Sequence, residues 1–225
     1  MAPDLRGHGG TGPLGGAADY THAAMRTDLL AWLEASQREP VDLIGHSMGG
    51  KVAADLAAAR PAAIRQLILV DPVPPEGLHP FFERVAALQR AVFAPERGPF
   101  GDRGQLEAAH RTISWLRHAE VWMHWAFDAN FTTRADGTIH PVLDPAAYEA
   151  LFQGVLRRPS PLSLTTVTMP VLLIRATFSV MPFESQVRRL QRQLPLLRTR
   201  RLAGEHSLHA TNPVGLAAML IDFLG

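Results

Sequence analysis

Residues 45–49, Gly-His-Ser-Met-Gly, have the types and the spacing that nucleophilic chemistry at a serine requires. A G-x-S-x-G run places its serine on a sharp strand-to-helix turn with a strained backbone, and the flanking glycines let neighbouring elements approach. The hydroxyl is then presented at a helix N-terminus. There the backbone N–H of Met48 and the helix dipole can stabilise an oxyanion. Ser47 is therefore the candidate nucleophile.

A serine hydroxyl needs a general base beside it, because it is a weak nucleophile at its own pKa. Of the ten histidines, His206 has the most suitable context. It follows a predicted strand and Gly204, and it precedes an Asn-Pro pair and an apolar helix. His209 is the nearest alternative. His46, next to the nucleophile, is expected to pack under the turn.

The elements that must position these residues follow from the hydrophobic pattern. Before residue 80 we expect helices over 21–36 and 48–60, and buried strands over 41–44 and 66–70. Strand, helix and strand in this order imply a parallel sheet with a right-handed crossover. The alternation of strands and helices resumes after Pro170, with a strand over 171–175, a helix over 183–194, a strand over 197–202 and a last helix from Pro213.

The segment between these two halves has a different character. Residues 81–158 contain amphipathic helical stretches and no convincing strand, together with a set of aromatic residues: Trp115, Trp122, Trp125, Phe127 and Phe131. We predict a helical insertion over 77–165, with the core domain formed by 1–76 and 166–225. The glycine-rich residues 1–20 are predicted to be a loop.

The composition limits the classes of partner. A chain of 225 residues with 47% hydrophobic residues can bury a good-sized core, and its net charge of +1 leaves no basic stripe for nucleic acid or for an anionic membrane. We expect a small-molecule partner, and a homo-oligomer is compatible with the sequence. The absence of cysteine excludes disulfides, a thiol nucleophile and cysteine-based zinc sites. Without a signal pattern or a long apolar run, we expect a cytoplasmic protein.

Five segments spread over the whole chain resemble the α/β-hydrolase superfamily, specifically its branch of lid-bearing serine esterases and C–C hydrolase-like proteins. They are PDLRGHGGTG (3–12), VDLIGHSMGG (41–50), LILVDP (67–72), PVLLIR (170–175) and GEHSLHATNP (204–213). The resemblance implies an α/β fold with a mostly parallel sheet of α/β-hydrolase type, a helical lid made by the insertion, and a Ser-His-acid triad. It implies no metal and no cofactor. It also places the family's catalytic histidine loop at His206.

The triad acid is where the sequence departs from the family. Relatives place it near the positions of Ser179 and Val180, yet residues 175–182 contain no carboxylate. Some family members place the acid after the strand that follows the nucleophile helix, where this chain has Asp71. From there it could orient His206 and stabilise the imidazolium.

The sequence alone leaves the role of each acidic residue open. Asp71 could simply form a turn before Pro72. Glu184 and Glu205 are weaker alternatives as the acid, because the first begins a predicted helix and the second would point away from the neighbouring histidine ring.

The resemblance also implies strands and an oxyanion loop ahead of the segment PDLRGHG, whereas this chain begins at Met1-Ala2-Pro3. The expectation is an N-terminally incomplete core. A truncated sequence is favoured over a degenerate relative. Loss of one oxyanion donor typically costs about 10²–10³ in rate.

Two functional hypotheses follow. The first is a cofactor-free serine hydrolase that cleaves an ester, thioester or activated C–C bond of a small apolar substrate. Ser47, His206 and Asp71 would form its triad, and the Met48 N–H would be an oxyanion donor. The alternative is a catalytically degenerate or truncated α/β-hydrolase-like protein that acts as a binding or interaction module.

Overall fold

The computed structural model describes residues 1–12, 15–73, 98–111, 130–143, 145–151, 153, 164–179 and 184–225. The chain divides into two compact units. One consists of Met1–Thr21 and Leu78–Gly154, and the other of His22–Gly77 and Val155–Gly225. Ser47, Asp71 and His206 all lie in the second unit.

The described secondary structure alternates strands and helices in the second unit and is shorter in the first. The strands are β1 (Val41–His46), β2 (Ile64–Val70), β3 (Phe131–Thr133), β4 (Ile139–Pro141), β5 (Val171–Ala176) and β6 (Leu197–Leu202). The helices are α1 (His22–Ser36), α2 (Met48–Ala59), α3 (Arg103–Arg111), α4 (Pro145–Leu151), α5 (Glu184–Gln193), α6 (Leu208–Thr211) and α7 (Pro213–Leu224).

The second unit is built on a four-stranded parallel sheet in the order β1-β2-β5-β6. Leu67 and Leu69 of β2 belong to a core shared with α1, α2 and α5, whereas Ile68 and Val70 belong to a second core shared with α7. Successive side chains of a strand point to opposite faces, and here each face packs against a core. Residues 67–70 of β2 must therefore all be apolar. The run LILV that predicted a fully buried strand is therefore explained by helices on both faces.

The predicted elements of this unit are confirmed, and three strands are longer than expected, β5 by the single residue Ala176. β1 continues through His46, and β2 begins at Ile64. The strand β6 has the bounds predicted for it. The short helix α6, directly after His206, was missed because four residues give no periodic pattern.

The first unit contains a short antiparallel hairpin of β3 and β4. The expectation that the insertion has no strand is therefore wrong. Each strand has only three residues, which is too short for an alternating pattern, and the turn between them contains Gly137 at φ 84°. Phe100 bridges to Ile139, and its ring meets the edge of Phe131 with 6.0 Å between centroids.

The remaining predictions for the insertion fall mostly outside the described residues. Trp115, Trp122, Trp125 and Phe127 all lie there, so the helical lid and its boundaries stay predictions. The glycine-rich start of the chain is irregular as expected, with short 3-10 turns at Gly9–Thr11 and Ala17–Asp19. Among the described helices, none has both the length and the apolar character needed to cross a bilayer.

Candidate active site

Ser47 occupies the turn between β1 and α2. Its backbone has φ 53° and ψ −120°, a conformation that residues with a side chain rarely adopt. The turn is held by backbone hydrogen bonds on both sides. The Ser47 N–H donates to Val70 O at 3.1 Å, and the Val73 N–H donates to Ser47 O at 3.0 Å. The strain predicted from the motif is therefore present, and the sheet sustains it.

The two motif glycines have different roles. A Cβ on Gly45 would lie 2.7 Å from both the Gly49 carbonyl carbon and the Gly50 Cα, so only glycine lets β1 meet α2 here. Apart from its chain neighbours and the backbone of its own helix, no described residue has an atom within 4 Å of a Cβ built on Gly49. The expected close approach is therefore found at Gly45, and among the described residues it is not found at Gly49. The second crowded glycine is Gly50, where a Cβ would lie 2.8 Å from Pro72 Cβ.

His206 lies in the loop between β6 and α6, and its ring reaches Ser47. The His206 Nε2 is 2.8 Å from Ser47 Oγ. The loop is braced by the Asn212 side chain, which donates to Ala203 O at 2.8 Å and caps α7 by accepting from Gly215 N at 3.0 Å. About a quarter of the His206 side chain is exposed to solvent (24%), so the imidazole can exchange protons with a bound molecule.

Asp71 directly follows β2 and is fully buried. One carboxylate oxygen, Oδ2, lies 2.6 Å from His206 Nδ1. The other, Oδ1, accepts from the Ala176 N–H at 3.0 Å at the end of β5. The carboxylate therefore has a donor for each oxygen, which is what a buried charge requires.

These distances form one continuous chain of hydrogen bonds. The Ser47 hydroxyl donates to Nε2 of a neutral His206, and Nδ1–H donates to Asp71. Hence the ring can accept the serine proton while the carboxylate stabilises the imidazolium that results. The turn-forming alternative for Asp71 does not compete with this arrangement, because its backbone makes the turn while both side-chain oxygens remain engaged.

The other candidate acids and the other candidate base have different surroundings from Asp71 and His206. Glu184 binds Arg175 at 2.6 Å and Arg201 at 2.5 Å, and the Arg175 bond is the main cause of its lowered pKa. The Glu205 Oε2 is buried and has no hydrogen-bond partner among the described residues. The ring of His209 packs against His46. Burial lowers the pKa of His209, with the nearby charge of His206 as a further cause.

His46 does not simply pack under the turn. Its Nε2 lies 2.9 Å from the backbone oxygen of His206, and its ring stands 4.8 Å from the His206 ring. Burial first, and then the charge of His206, lower its pKa to about 4. The only sequence signal for these contacts with His206 was the position of His46 beside the nucleophile.

Met48 is the first residue of α2. The first amides of a helix have no carbonyl partner within it, which makes the Met48 N–H suited to an oxyanion next to Ser47 Oγ. In the part of the chain that the structure describes, no group of three or more His, Asp or Glu side chains could hold a metal ion.

Comparison with known proteins assigns the chain to a family. A family model described as "alpha/beta hydrolase fold" matches residues 1–213. Among solved structures, a marine microorganism esterase superposes with a TM-score of 0.81 at 21% identity, covering 98% of this chain and 82% of that one. E-2-(acetamidomethylene)succinate hydrolase gives the same TM-score and identity, with 98% and 79% covered. At this level of identity the structures show the fold.

Two curated relatives align over part of the chain. Lipase LipV of Mycobacterium tuberculosis is 48% identical over 71 residues, which are 32% of this chain and 26% of that protein. The sn-1-specific diacylglycerol lipase ABHD11 of Mus musculus is 35% identical over 108 residues, 47% of this chain and 34% of that protein. The aligned part thus spans about a quarter of the length of Lipase LipV and about a third of the length of ABHD11.

Proposed function

The chain belongs to the α/β-hydrolase fold family, and from this premise we propose that it is a serine hydrolase. Its substrate is a small, mainly apolar molecule with an ester, thioester or activated C–C bond next to a carbonyl. The observation that carries the proposal is the chain of hydrogen bonds from Ser47 Oγ through His206 to Asp71, with distances of 2.8 and 2.6 Å.

The proposed reaction has two halves. Ser47 Oγ attacks the substrate carbonyl while His206 Nε2 takes the hydroxyl proton, and the Met48 N–H stabilises the oxyanion. His206 then gives that proton to the leaving group, which departs and leaves an acyl group on Ser47. A water molecule, deprotonated by the same nitrogen, releases the acid and restores the serine.

The roles differ in what each residue supplies. Burial of Asp71 strengthens its attraction to a protonated His206, because no water screens the pair at the carboxylate. The positive end of α2 lies where negative charge develops on the carbonyl oxygen. The preference for an apolar ester is supported by the lipase names of the aligned relatives. The insertion over 77–165 is proposed to be a helical lid, as the family resemblance implies.

Ester hydrolysis by the full chain tests the proposal. A panel of p-nitrophenyl esters from acetate to decanoate, with one acyl thioester, should show turnover that Ser47→Ala abolishes. Ser36→Ala is a matched control, because this serine bonds Leu33 O at the end of α1, away from the triad. Absence of turnover on the whole panel by the folded chain would instead favour the binding-module alternative.

A further inference from the structure

We propose that His46 is a positioning residue for the catalytic base, because its Nε2–H holds the backbone carbonyl of His206. This inference rests on the proposed function and assigns a task to the residue that precedes the nucleophile. The two histidines are 160 positions apart in sequence, and their bond joins the nucleophile turn to the base loop.

The carbonyl in question belongs to the same residue as the catalytic ring. It accepts from the Leu208 N–H at 3.1 Å, a bond within its own loop, and from His46 Nε2 at 2.9 Å, a bond to another element. The second bond therefore fixes where the loop stands relative to Ser47. Asp71 fixes the ring through Nδ1, so His206 is held at its backbone and at its side chain.

The chemistry of the bond determines the form of His46. A carbonyl oxygen can only accept, so the proton of a neutral His46 must be on Nε2. The low pKa of His46, about 4, keeps it neutral at the pH where a serine hydrolase works. A neutral donor holds the carbonyl without adding a positive charge that would oppose the imidazolium of His206.

The ring of His46 adds a second contact. It contacts two other imidazoles, with centroids 4.8 Å from His206 at an interplanar angle of 43° and 4.8 Å from His209 at 72°. A substitution must therefore be judged separately for lost volume and for the lost donor. Gln has a neutral N–H donor at nearly the reach of His Nε2, whereas Phe fills the space without a donor.

Steady-state hydrolysis of one p-nitrophenyl ester by three variants separates these effects. His46→Phe should lower kcat by about 10- to 100-fold with KM within about 2-fold, because a displaced base slows chemistry and not ground-state binding. His46→Gln should recover most of kcat. The control His209→Phe keeps an aromatic ring against His46 and leaves the bond in place, so it should stay within about 3-fold of wild-type kcat.

Three kinetic results would overturn the inference: unchanged kcat in His46→Phe, equal losses in His46→Phe and His46→Gln, or a loss confined to KM. An inactive wild-type chain would instead refute the proposed function.

Nitrogen-15 NMR of the wild-type imidazoles tests the bond without any variant. It should find His46 as the Nε2–H tautomer and neutral down to about pH 5. An Nδ1–H tautomer, or titration near the ordinary pKa of about 6.5, would also overturn the inference, whether or not the chain is active.

Discussion

Ser47 and Asp71 leave adjacent parallel strands at the same level of the sheet. The last paired residues before them, His46 and Val70, are partners in the register of β1 and β2. Both then turn with positive φ, 53° at Ser47 and 41° at Asp71. The two side chains thus emerge together at the carboxyl edge of the sheet, where the two nitrogens of His206 contact them both.

Asp71→Asn should lower kcat by about 10⁴-fold while the fold is kept. Asparagine tolerates positive φ, so the change removes the carboxylate without adding strain to the turn. An amide that donates to Nδ1 leaves the proton on Nε2, which can then no longer accept from Ser47. Single-turnover ester cleavage, with a melt to check folding, measures this.

Glu184→Gln is the matched control for Asp71→Asn. Its carboxylate is exposed and bound to Arg175 and Arg201, so kcat should stay within about 2-fold of wild type. Our assignment of the acid is wrong if Asp71→Asn retains wild-type turnover while Glu184→Gln or Glu205→Gln loses it.

Ser47→Gly should be more stable than Ser47→Ala, by about 1–2 kcal/mol. Both variants lose the hydroxyl, but only alanine keeps a Cβ in the conformation at φ 53° and ψ −120°. Urea unfolding of the two inactive proteins compares them directly. Equal stabilities would show that the turn is not strained at this residue.

Gly45→Ala should be strongly destabilising, by about 3 kcal/mol or more, because the added Cβ meets backbone atoms that cannot move aside. Gly49→Ala should change stability by less than about 1 kcal/mol, since the described residues leave open space at that Cβ. Thermal melts of both variants test the contrast. If Gly49→Ala were the more damaging of the two, the packing described for this turn would be incorrect.

The folded protein should lose stability as the pH falls from about 6.5 towards 4. The pKa of His46 is about 4 in the folded chain, below the ordinary 6.5 that it regains on unfolding. Between these values the unfolded chain binds a proton that the folded chain does not, so acid favours unfolding. Well above pH 6.5, His46 is neutral in both the folded and the unfolded chain, so its contribution to stability no longer changes with pH.

At pH 5, protonation of His46 in the unfolded chain lowers the free energy of unfolding by about 2 kcal/mol relative to neutral pH. Urea unfolding at about pH 7 and about pH 5 should therefore show a smaller drop for His46→Gln than for wild type. Identical drops would mean that His46 titrates normally in the folded chain.

Local patterns predicted much of this unit, and long-range contacts account for what they missed. The turn at Ser47 could be predicted because strand, glycine, serine and helix are neighbours in sequence. Local patterns could not decide between Asp71 and Glu184 as the candidate triad acid, because that choice depends on which residue follows a strand adjacent to β1. The bond from His46 to the His206 backbone joins residues from opposite ends of the chain, so no local pattern could reveal it.

The hairpin of β3 and β4 shows a different limit of prediction from local sequence patterns. Three-residue strands carry too little periodicity to be recognised, and their stability comes from partners such as Phe100 that lie far away in sequence. A motif likewise gives the residue type and not the surrounding atoms, and the close approach expected at Gly49 is not found among the described residues.

Labelling by a fluorophosphonate probe tests the activated serine most directly. The purified full chain is treated with the probe, the modified peptide is located by mass spectrometry, and a cooperative melt verifies folding. We predict one label, on Ser47, which is lost in Ser47→Ala and strongly slowed in Asp71→Asn. A well-folded chain that stays unlabelled, or is labelled at another residue, would contradict the assignment of Ser47 as the nucleophile.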